Sequence, residues 1–316
     1  HFIIGGSMML PLFVAFIYKE YSSAVAFTIA LAISIALGIV ASGVFGRDTN
    51  SESLRYTDSY FIVTYAWIMS SILAAIPFVI QGSIPNIIDA FFEMCSGFST
   101  TGATILTNVE ALPKSLLFWR SETQWLGGMG IIVLMVALVP NLGVKAQNVA
   151  SAETPGPTVT KLTSRFSDTA RSLYIAYFLL TIALTTLLLL GGMNLYDAVA
   201  HAFATMATGG FSTYNDSIAH FHSYYITWVI TVFMIIAGTN FNLFFTMIFD
   251  KIKTALADEE LRLYGCILAV SVTLISISLM MQGGYSQISK TVTDAAFQVS
   301  TMISTTGYAT RNFNLW

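Results

Sequence analysis

Charged residues are scarce in this chain. Of its 316 residues only 10% are aspartate, glutamate, lysine or arginine, whereas a soluble domain carries about 25%. Hydrophobic residues make up 55%, and the mean hydropathy is +0.71. A soluble protein of this composition would have too few polar side chains to cover its surface. The composition therefore predicts that the protein is surrounded by a lipid bilayer.

Cysteine and clustered basic residues are scarce as well. The two cysteines, Cys95 and Cys266, are too few for a disulfide framework or a zinc site, and we expect both to be small core residues. The net charge of -3 comes with no basic stripe that could neutralise phosphates, so we expect no nucleic acid partner. His201 lies four residues after Asp197, but no nucleophile accompanies it. We therefore expect His201 to pack or to lie on a helix surface, and we expect neither an enzyme nor a cofactor.

Long windows without charge dominate the chain, and a helix that crosses the hydrocarbon core needs about 20 mostly apolar residues. The windows predict an all-α, polytopic membrane protein, and the first of them is interpreted as a transmembrane helix whose beginning has been trimmed. The seven windows are residues 2–18, 22–46, 59–88 (one helix plus a loop), 123–144, 172–196, 223–249 and 263–289.

The basic residues predict the orientation of these helices. Nine of the fourteen fall in residues 47–57, 145–171 and 250–262, which we expect to be cytoplasmic. The linker 145–171 also contains Pro155-Gly156-Pro157, and we expect it to help dock a regulatory protein. More apolar sequence separates these segments than one helical hairpin requires. Some of it must therefore enter the membrane and return to the same side.

Three segments fit such a re-entrant path, because each has an Asp-Ala pair followed by a glycine 13 residues after the aspartate. From the aspartate to the threonines there are about 11 residues, or roughly 16 Å of helix, which reaches halfway across the bilayer. We expect the aspartate in the first helical turn, where it complements the helix dipole. The pairs are Asp89 and Gly102, Asp197 and Gly210, and Asp294 and Gly307, at intervals of 108 and 97 residues.

The loop after each short helix predicts a selectivity filter. Bare backbone is tolerated in a membrane only where it is buried in protein or lines a watery path, and rings of carbonyls can replace a cation's hydration shell. Glycine allows the dihedral angles that such loops need. An ordinary glycine turn would explain one copy, but not three at one offset. The predicted filter residues are Thr100, Thr101, Gly102, Thr208, Gly209, Gly210, Thr305, Thr306 and Gly307.

Several runs of sequence resemble the Trk/Ktr/HKT superfamily of potassium transporters, and the Pro-Gly-Pro linker is most similar to its bacterial TrkH type. The resemblance covers nearly the whole chain. The runs are Ser99-Thr100-Thr101-Gly102-Ala103-Thr104, Trp119-Arg120, Gln124-Trp125-Leu126-Gly127-Gly128-Met129-Gly130-Ile131-Ile132 and Gly209-Gly210-Phe211-Ser212-Thr213.

The resemblance implies a potassium-selective pore built from four helix–pore-loop–helix repeats, with the filter glycines conferring preference for potassium. It further implies a homodimer in the bacterial inner membrane, gated by a cytosolic nucleotide-binding subunit of the TrkA-like kind. Potassium is then the substrate. The implied organisation is an N-terminal hairpin at 1–46 and pore repeats at 58–142, 171–249 and 262–316, the third truncated at Trp316 and the fourth absent.

Some positions carry finer expectations. Gly209 stands where the other two loops have threonine, so we expect that side of the filter to be looser. Asn240 and Asn242 lie in an apolar window, and we expect them to line the pore below the filter. Arg120 and Glu122 are expected near the outer start of a helix, paired with each other or with a neighbouring loop.

Two other classes fit an apolar chain. A secondary transporter that couples potassium entry to sodium or protons usually carries carboxylates within the membrane, and the spanning windows contain none. An intramembrane hydrolase would need a catalytic set that the sequence lacks. Voltage-dependent uptake without a coupling ion distinguishes a channel-like pore from a coupled transporter.

Overall fold

The computed structural model describes residues 1–45, 56–130, 166–239, 258–282, 287–311 and 316. Over these residues the protein is all-α, with two short 3₁₀ turns, Val109–Ala111 and Ser217–Phe221, and no strand. The α-helices are α1 (Phe2–Ser7), α2 (Met9–Ile17), α3 (Tyr21–Phe45), α4 (Tyr56–Gln81), α5 (Ile87–Phe98), α6 (Lys114–Gly128), α7 (Phe166–Leu190), α8 (Leu195–Met206), α9 (Tyr224–Ala237), α10 (Glu259–Met281) and α11 (Ile288–Ile303).

Four helices, α3, α4, α7 and α10, are long and apolar enough to cross a membrane. At most 39% of the most apolar window of any of them is buried. Large apolar side chains are therefore exposed, among them Phe61 at 77% and Met281 at 83%. Exposure of this kind would be unfavourable in water and is what a lipid-facing surface requires. The prediction of an all-α, polytopic membrane protein is confirmed.

The remaining apolar windows are shorter or only partly described. Residues 2–18 form two helices, α1 and α2, that meet at Met8. Residues 59–88 contain one helix that ends at Gln81 and a loop before α5, as predicted. The windows 123–144 and 223–249 extend beyond the described residues, and so does the linker 145–171.

Contacts divide the chain into two compact units, His1–Ser99 with Ala103–Arg171, and Thr100–Gly102 with Ser172–Trp316. In the first unit α3 packs on α1, α2 and α4, while α5 packs on α4 and α6. In the second unit α11 packs on both α9 and α10, and α8 packs on α9. Helix α5 in the first unit and helix α11 in the second therefore each pack on two neighbouring helices.

The turn between α2 and α3 caps helix α6 within the first unit. The Glu20 carboxylate accepts hydrogen bonds from the backbone N–H of Lys114 at 2.7 Å and from that of Ser115 at 3.0 Å. These N–H groups have no partner inside the helix, and a carboxylate also complements the positive end of the helix dipole. The N-terminal hairpin is thus tied to the helix that carries Arg120.

The cysteines depart from the expectation of two core residues. Cys95 on α5 is half-buried, whereas Cys266 on α10 is exposed. The expectation is wrong for Cys266 because α10 directs most of its surface outward, so its small apolar residues need no core. Both thiols are free.

Candidate functional site

Helices α5 and α8 begin alike. An asparagine caps each helix: Asn86 accepts from the Ile88 N–H at 3.0 Å, and Asn194 accepts from the Asp197 N–H at 2.9 Å. Asp89 and Asp197 lie in the first turn, as predicted, and each helix has 12 residues. Caps of this type typically stabilise a helix by about 1 kcal/mol.

Helix α11 begins differently from the expectation. It starts at Ile288 and runs for 16 residues, so that Asp294 is its seventh residue rather than part of its first turn. The prediction is wrong here because residues 288–293 contain no glycine or proline that would stop the helix from extending toward its N-terminus. The helix still ends at the same place relative to its loop.

The three loops share one backbone conformation. They are loop 1 (residues 99–104), loop 2 (207–213) and loop 3 (304–310). The predicted filter glycines have positive φ angles, at 74° for Gly102, 75° for Gly210 and 82° for Gly307. A threonine two residues earlier in each loop also has positive φ, and these are Thr100 at 53°, Thr208 at 52° and Thr305 at 60°.

The left-handed threonines were not predicted, because a β-branched residue rarely adopts positive φ. Each costs on the order of 1–3 kcal/mol and persists only where its surroundings enforce it. In loops 2 and 3 the enforcing element is the helix end. The N–H of Gly209 donates to Ala204 O at 2.9 Å, and that of Thr306 donates to Thr301 O at 2.9 Å. This is the bonding of a Schellman motif, whose left-handed position is usually glycine.

Loops 2 and 3 approach each other at the filter glycine. A Cβ atom added to Gly210 would lie 1.9 Å from the carbonyl oxygen of Thr306. No side chain can occupy that space without movement of the backbone. Glycine is therefore required at residue 210 both by its φ angle and by a neighbouring carbonyl.

Gly209 and Thr306 occupy equivalent positions in loops 2 and 3 and make the same backbone hydrogen bond, but Gly209 has no side chain. The Thr306 hydroxyl lies 2.7 Å from that of Ser304. Loop 2 has Ala207 and Gly209 at these places and so lacks a matching pair of hydroxyls. The expectation of a looser second side stays a prediction.

A buried ion pair lies behind loop 1. Glu93 on α5 and Arg120 on α6 are 0% and 1% exposed, and Arg120 Nη2 lies 2.8 Å from Glu93 Oε1. The same carboxylate accepts from the Thr104 hydroxyl at 2.9 Å and from the Ile105 N–H at 3.1 Å. A buried carboxylate needs such partners to offset its desolvation. The pair therefore fixes the part of the chain that follows the loop 1 filter residues.

Close packing holds these two helices together. A Cβ on Gly127 of α6 would lie 2.0 Å from the carbonyl oxygen of Phe98, the last residue of α5. Gly127 thus lets α6 lie directly against the end of the helix that enters loop 1.

Loop 2 is held by two side chains of α8. Asp197 accepts from the Thr213 hydroxyl and from the Tyr214 hydroxyl, each at 2.8 Å. His201 is fully buried, with Nε2 3.0 Å from Ser212 Oγ and Nδ1 2.8 Å from the Asp197 carbonyl. The packing role expected of His201 is confirmed, and a helix-surface position is excluded.

Loop 3 and the residue after it are held both by α11 and by the turn at residues 217–221. Arg311 pairs with Asp294 at 2.6 Å. The Ala309 N–H donates to Ser217 Oγ at 3.3 Å, and the Ala309 carbonyl accepts from the Ala219 N–H at 3.3 Å. Two residues of the 217–221 turn thus contact the third loop.

The remaining predicted residues have different outcomes. Asn240 and Asn242 lie outside the described residues. The ion pair of Arg120 is with Glu93 rather than with Glu122. Its Nη2 also donates to the Thr104 hydroxyl of loop 1 at 3.3 Å, so for Arg120 the expected pairing with a neighbouring loop is confirmed. Helix α6 begins at Lys114, and Glu122 is therefore a buried residue in mid-helix rather than near the helix start. Within the described ranges no group of three or more His, Cys, Asp or Glu could hold a metal ion.

Glu93 was overlooked in the sequence. The available signal was an acidic residue inside an apolar short helix, combined with a basic residue inside the next one, since ionisable residues at membrane depth are usually paired. Twenty-six residues separate the two, which is why local pairing with Glu122 was considered instead.

Comparisons with known proteins agree with this architecture. The TrkH family model, described as a cation transport protein, matches residues 23–316. The Trk system potassium uptake protein TrkH of Escherichia coli (strain K12) is 37% identical over 99% of this chain and 65% of its own length. TrkG of the same strain is 36% identical over 98% and 64%.

A solved structure is also similar. The potassium transporter TrkH from Vibrio parahaemolyticus superimposes with a TM-score of 0.83 at 32% identity, covering 99% of this chain and 64% of that one. This chain thus spans just under two thirds of the length of these relatives. It belongs to the TrkH family of cation transport proteins, a family of polytopic membrane transporters rather than enzymes.

Proposed function

We propose that this chain contributes three of the coordinating loops of a potassium-selective pore. The observation that carries the proposal is the backbone conformation repeated in loops 1, 2 and 3, with a left-handed threonine and, two residues later, a glycine at positive φ. Three independent turns would have no reason to share two unusual angles at one spacing. A common ligand that each loop must meet in the same way supplies that reason.

The chemistry follows from the ends of the short helices. Each of α5, α8 and α11 ends two residues before its left-handed threonine. A helix C-terminus carries a partial negative charge equivalent to about half an electron. Carbonyl oxygens of the filter residues then replace the water around a dehydrated cation. Together they favour a monovalent cation without requiring a carboxylate ligand.

Potassium is the proposed substrate, because the similar proteins from Escherichia coli and Vibrio parahaemolyticus are a potassium uptake protein and a potassium transporter. In this proposal residues 1–46 form an N-terminal hairpin, and residues 58–142, 171–249 and 262–316 form pore repeats. A homodimer in the bacterial inner membrane, gated by a cytosolic nucleotide-binding subunit, completes the proposed assembly.

Coupled transport of potassium with sodium or protons is the second candidate. The observation that favours it is the Glu122 carboxylate, which is buried inside α6. An intramembrane carboxylate is a common site for a coupling ion. Flux that follows the membrane potential alone, with no dependence on a sodium or proton gradient, would exclude this candidate.

Serine substitution of the filter glycines tests the pore proposal. We expect Gly102→Ser and Gly307→Ser, made in the full-length protein, to lower the ratio of rubidium to sodium uptake about tenfold, the equivalent of 1.4 kcal/mol. The reason is that serine at positive φ is strained by about 1 kcal/mol or more, which displaces the adjacent carbonyls. Uptake by cells that lack other potassium transporters measures the ratio.

Gly82→Ser is the matched control. Gly82 also has a positive φ angle, 87°, but it lies in the loop after α4, and a Cβ there would have nothing within 4 Å. We expect this variant to keep the wild-type ratio. If Gly102→Ser and Gly307→Ser also kept it, the proposal would be wrong.

A further inference from the structure

The three loops differ in how they are anchored to their own short helix. We define the anchor position as the helix residue four after the aspartate together with the loop residue two after the filter glycine. In loop 1 these are Glu93 and Thr104, and in loop 2 they are His201 and Ser212, and both pairs are hydrogen-bonded. In loop 3 they are Gln298 and Ala309.

Loop 3 therefore lacks the side-chain hydrogen bond to its own helix that the other two loops have, although the Ala309 backbone is bonded to Ser217 and Ala219. Alanine offers no side-chain group, and the buried Gln298 Nε2 has no hydrogen-bond partner among the described residues. A loop that lines a pore must nevertheless be held to within a fraction of an ångström for its carbonyls to select between ions. The bonds of Ala309 to the turn at 217–221 hold the end of loop 3, and a further contact is needed nearer to Gly307.

Tyr308, the residue after the third filter glycine, is buried in the second repeat. Its side chain is 1% exposed. The hydroxyl lies 3.3 Å from the Phe211 carbonyl of loop 2 and 3.4 Å from the His201 carbonyl of α8. The side chain of Thr205 also lies near the Tyr308 hydroxyl. These separations are at the long end of the hydrogen-bond range, but three polar groups surround one hydroxyl that is shielded from water.

The groups around the Tyr308 hydroxyl are themselves held by hydrogen bonds. His201 is bonded through both ring nitrogens, to the Asp197 carbonyl and to the Ser212 hydroxyl. Its ring also lies 6.1 Å from the Tyr308 ring, tilted by 38°. The Thr205 hydroxyl donates to the His201 carbonyl at 2.6 Å. The Tyr308 side chain therefore packs against groups that are already held in place by hydrogen bonds.

We propose that Tyr308 is a positioning residue for ion selectivity, which locks loop 3 to loop 2 in place of the missing anchor. It touches no ion. It sets the separation between loops 2 and 3, whose backbones are already in contact at Gly210 and Thr306. The proposal rests on the pore function proposed above, since it assigns a role within that filter.

Removal of the hydroxyl tests this role. We expect Tyr308→Phe, in the full-length protein, to lower the rubidium-to-sodium uptake ratio about three- to tenfold, as loss of one hydrogen bond implies. Tyr308→Leu, which also removes the ring, should lower it further. Rubidium and sodium uptake are measured on the same proteoliposomes. Their ratio therefore does not depend on how much folded protein the variant yields.

Tyr264→Phe is the matched control. The Tyr264 hydroxyl also donates to a backbone carbonyl at 3.4 Å, but the acceptor is Ile235 of helix α9. We expect its ratio to match wild type. The proposal fails if Tyr308→Phe also matches wild type, or if Tyr264→Phe lowers the ratio as much as Tyr308→Phe does.

The Gly210→Ala variant, measured in parallel, separates this proposal from the pore function. If Gly210→Ala loses discrimination and Tyr308→Phe keeps it, only the role of Tyr308 is overturned. If Gly210→Ala keeps full discrimination, the pore function itself is wrong, and the role of Tyr308 is overturned with it.

Discussion

Replacement of Gly210 with alanine is expected to remove most of the discrimination between potassium and sodium, by at least about tenfold. Two costs act together. Alanine at a φ of 75° is strained by about 1–2 kcal/mol. Its Cβ would also lie 1.9 Å from the Thr306 carbonyl oxygen, so that a loop 3 carbonyl must move. Rubidium and sodium uptake by cells expressing the full-length variant measures the loss.

Gly192→Ala isolates the effect of the clash. Gly192 has a φ of 93°, and a Cβ there would meet nothing within 4 Å. This control carries the same kind of backbone strain in the loop before α8, without the contact with a filter carbonyl. If Gly210→Ala and Gly192→Ala lowered the discrimination between potassium and sodium equally and only slightly, the close approach of loops 2 and 3 would be contradicted.

Replacement of Arg120 with methionine is expected to destabilise the protein by about 3–5 kcal/mol, because it leaves the Glu93 carboxylate buried without its cation. Loop 1 should lose order as well, since the same carboxylate holds Thr104 and the Ile105 N–H. We expect a large decrease in the melting temperature of the purified full-length protein, together with a lower rubidium-to-sodium ratio.

The double variant Glu93→Gln with Arg120→Met tests the electrostatic origin of this loss. Removing both charges of a buried pair is often nearly neutral, whereas removing one is not. The double variant should therefore recover much of the lost melting temperature. A double variant as unstable as Arg120→Met alone would show that packing of the arginine, rather than its charge, stabilises the site.

The helices and the positive φ angles of the three repeated glycines could be predicted from sequence because their signals are local. Long windows without charge predict spanning helices, and a glycine at a fixed distance from an aspartate predicts a loop with positive φ. Gly102, Gly210 and Gly307 all have positive φ. The start of α11 could not be predicted from the Asp-Ala motif. It depends on the absence of a glycine or proline before Asp294, and the motif does not include those positions.

The anchoring of the loops could not be predicted because it depends on contacts between distant parts of the chain. Arg120 meets a carboxylate 27 positions earlier in the chain, and Tyr308 meets backbone carbonyls 97 and 107 positions earlier. The positive φ angles of the three threonines could not be predicted either, since threonine has no intrinsic preference for that conformation. This conformation is selected by the hydrogen bonds at the helix C-termini and by the loop contacts, which form only in the folded protein.

The anchoring also differs from loop to loop although the backbone does not. Loop 1 depends on a charged pair, loop 2 on a buried histidine and aspartate, and loop 3 on Tyr308 and Arg311. One backbone conformation is thus stabilised by three sets of side chains. Such an outcome is expected where the backbone meets the ligand and the side chains only support it.

Location of a bound cation tests the central claim most directly. Thallium substitutes for potassium in many sites and scatters X-rays anomalously, so crystals of the full-length protein grown in thallium would reveal the site. The pore proposal predicts the strongest anomalous peak among the carbonyl oxygens of the residues from Thr100 to Gly102, Thr208 to Gly210 and Thr305 to Gly307. A strongest peak against a buried carboxylate such as Glu122, with no density between the loops, would contradict it.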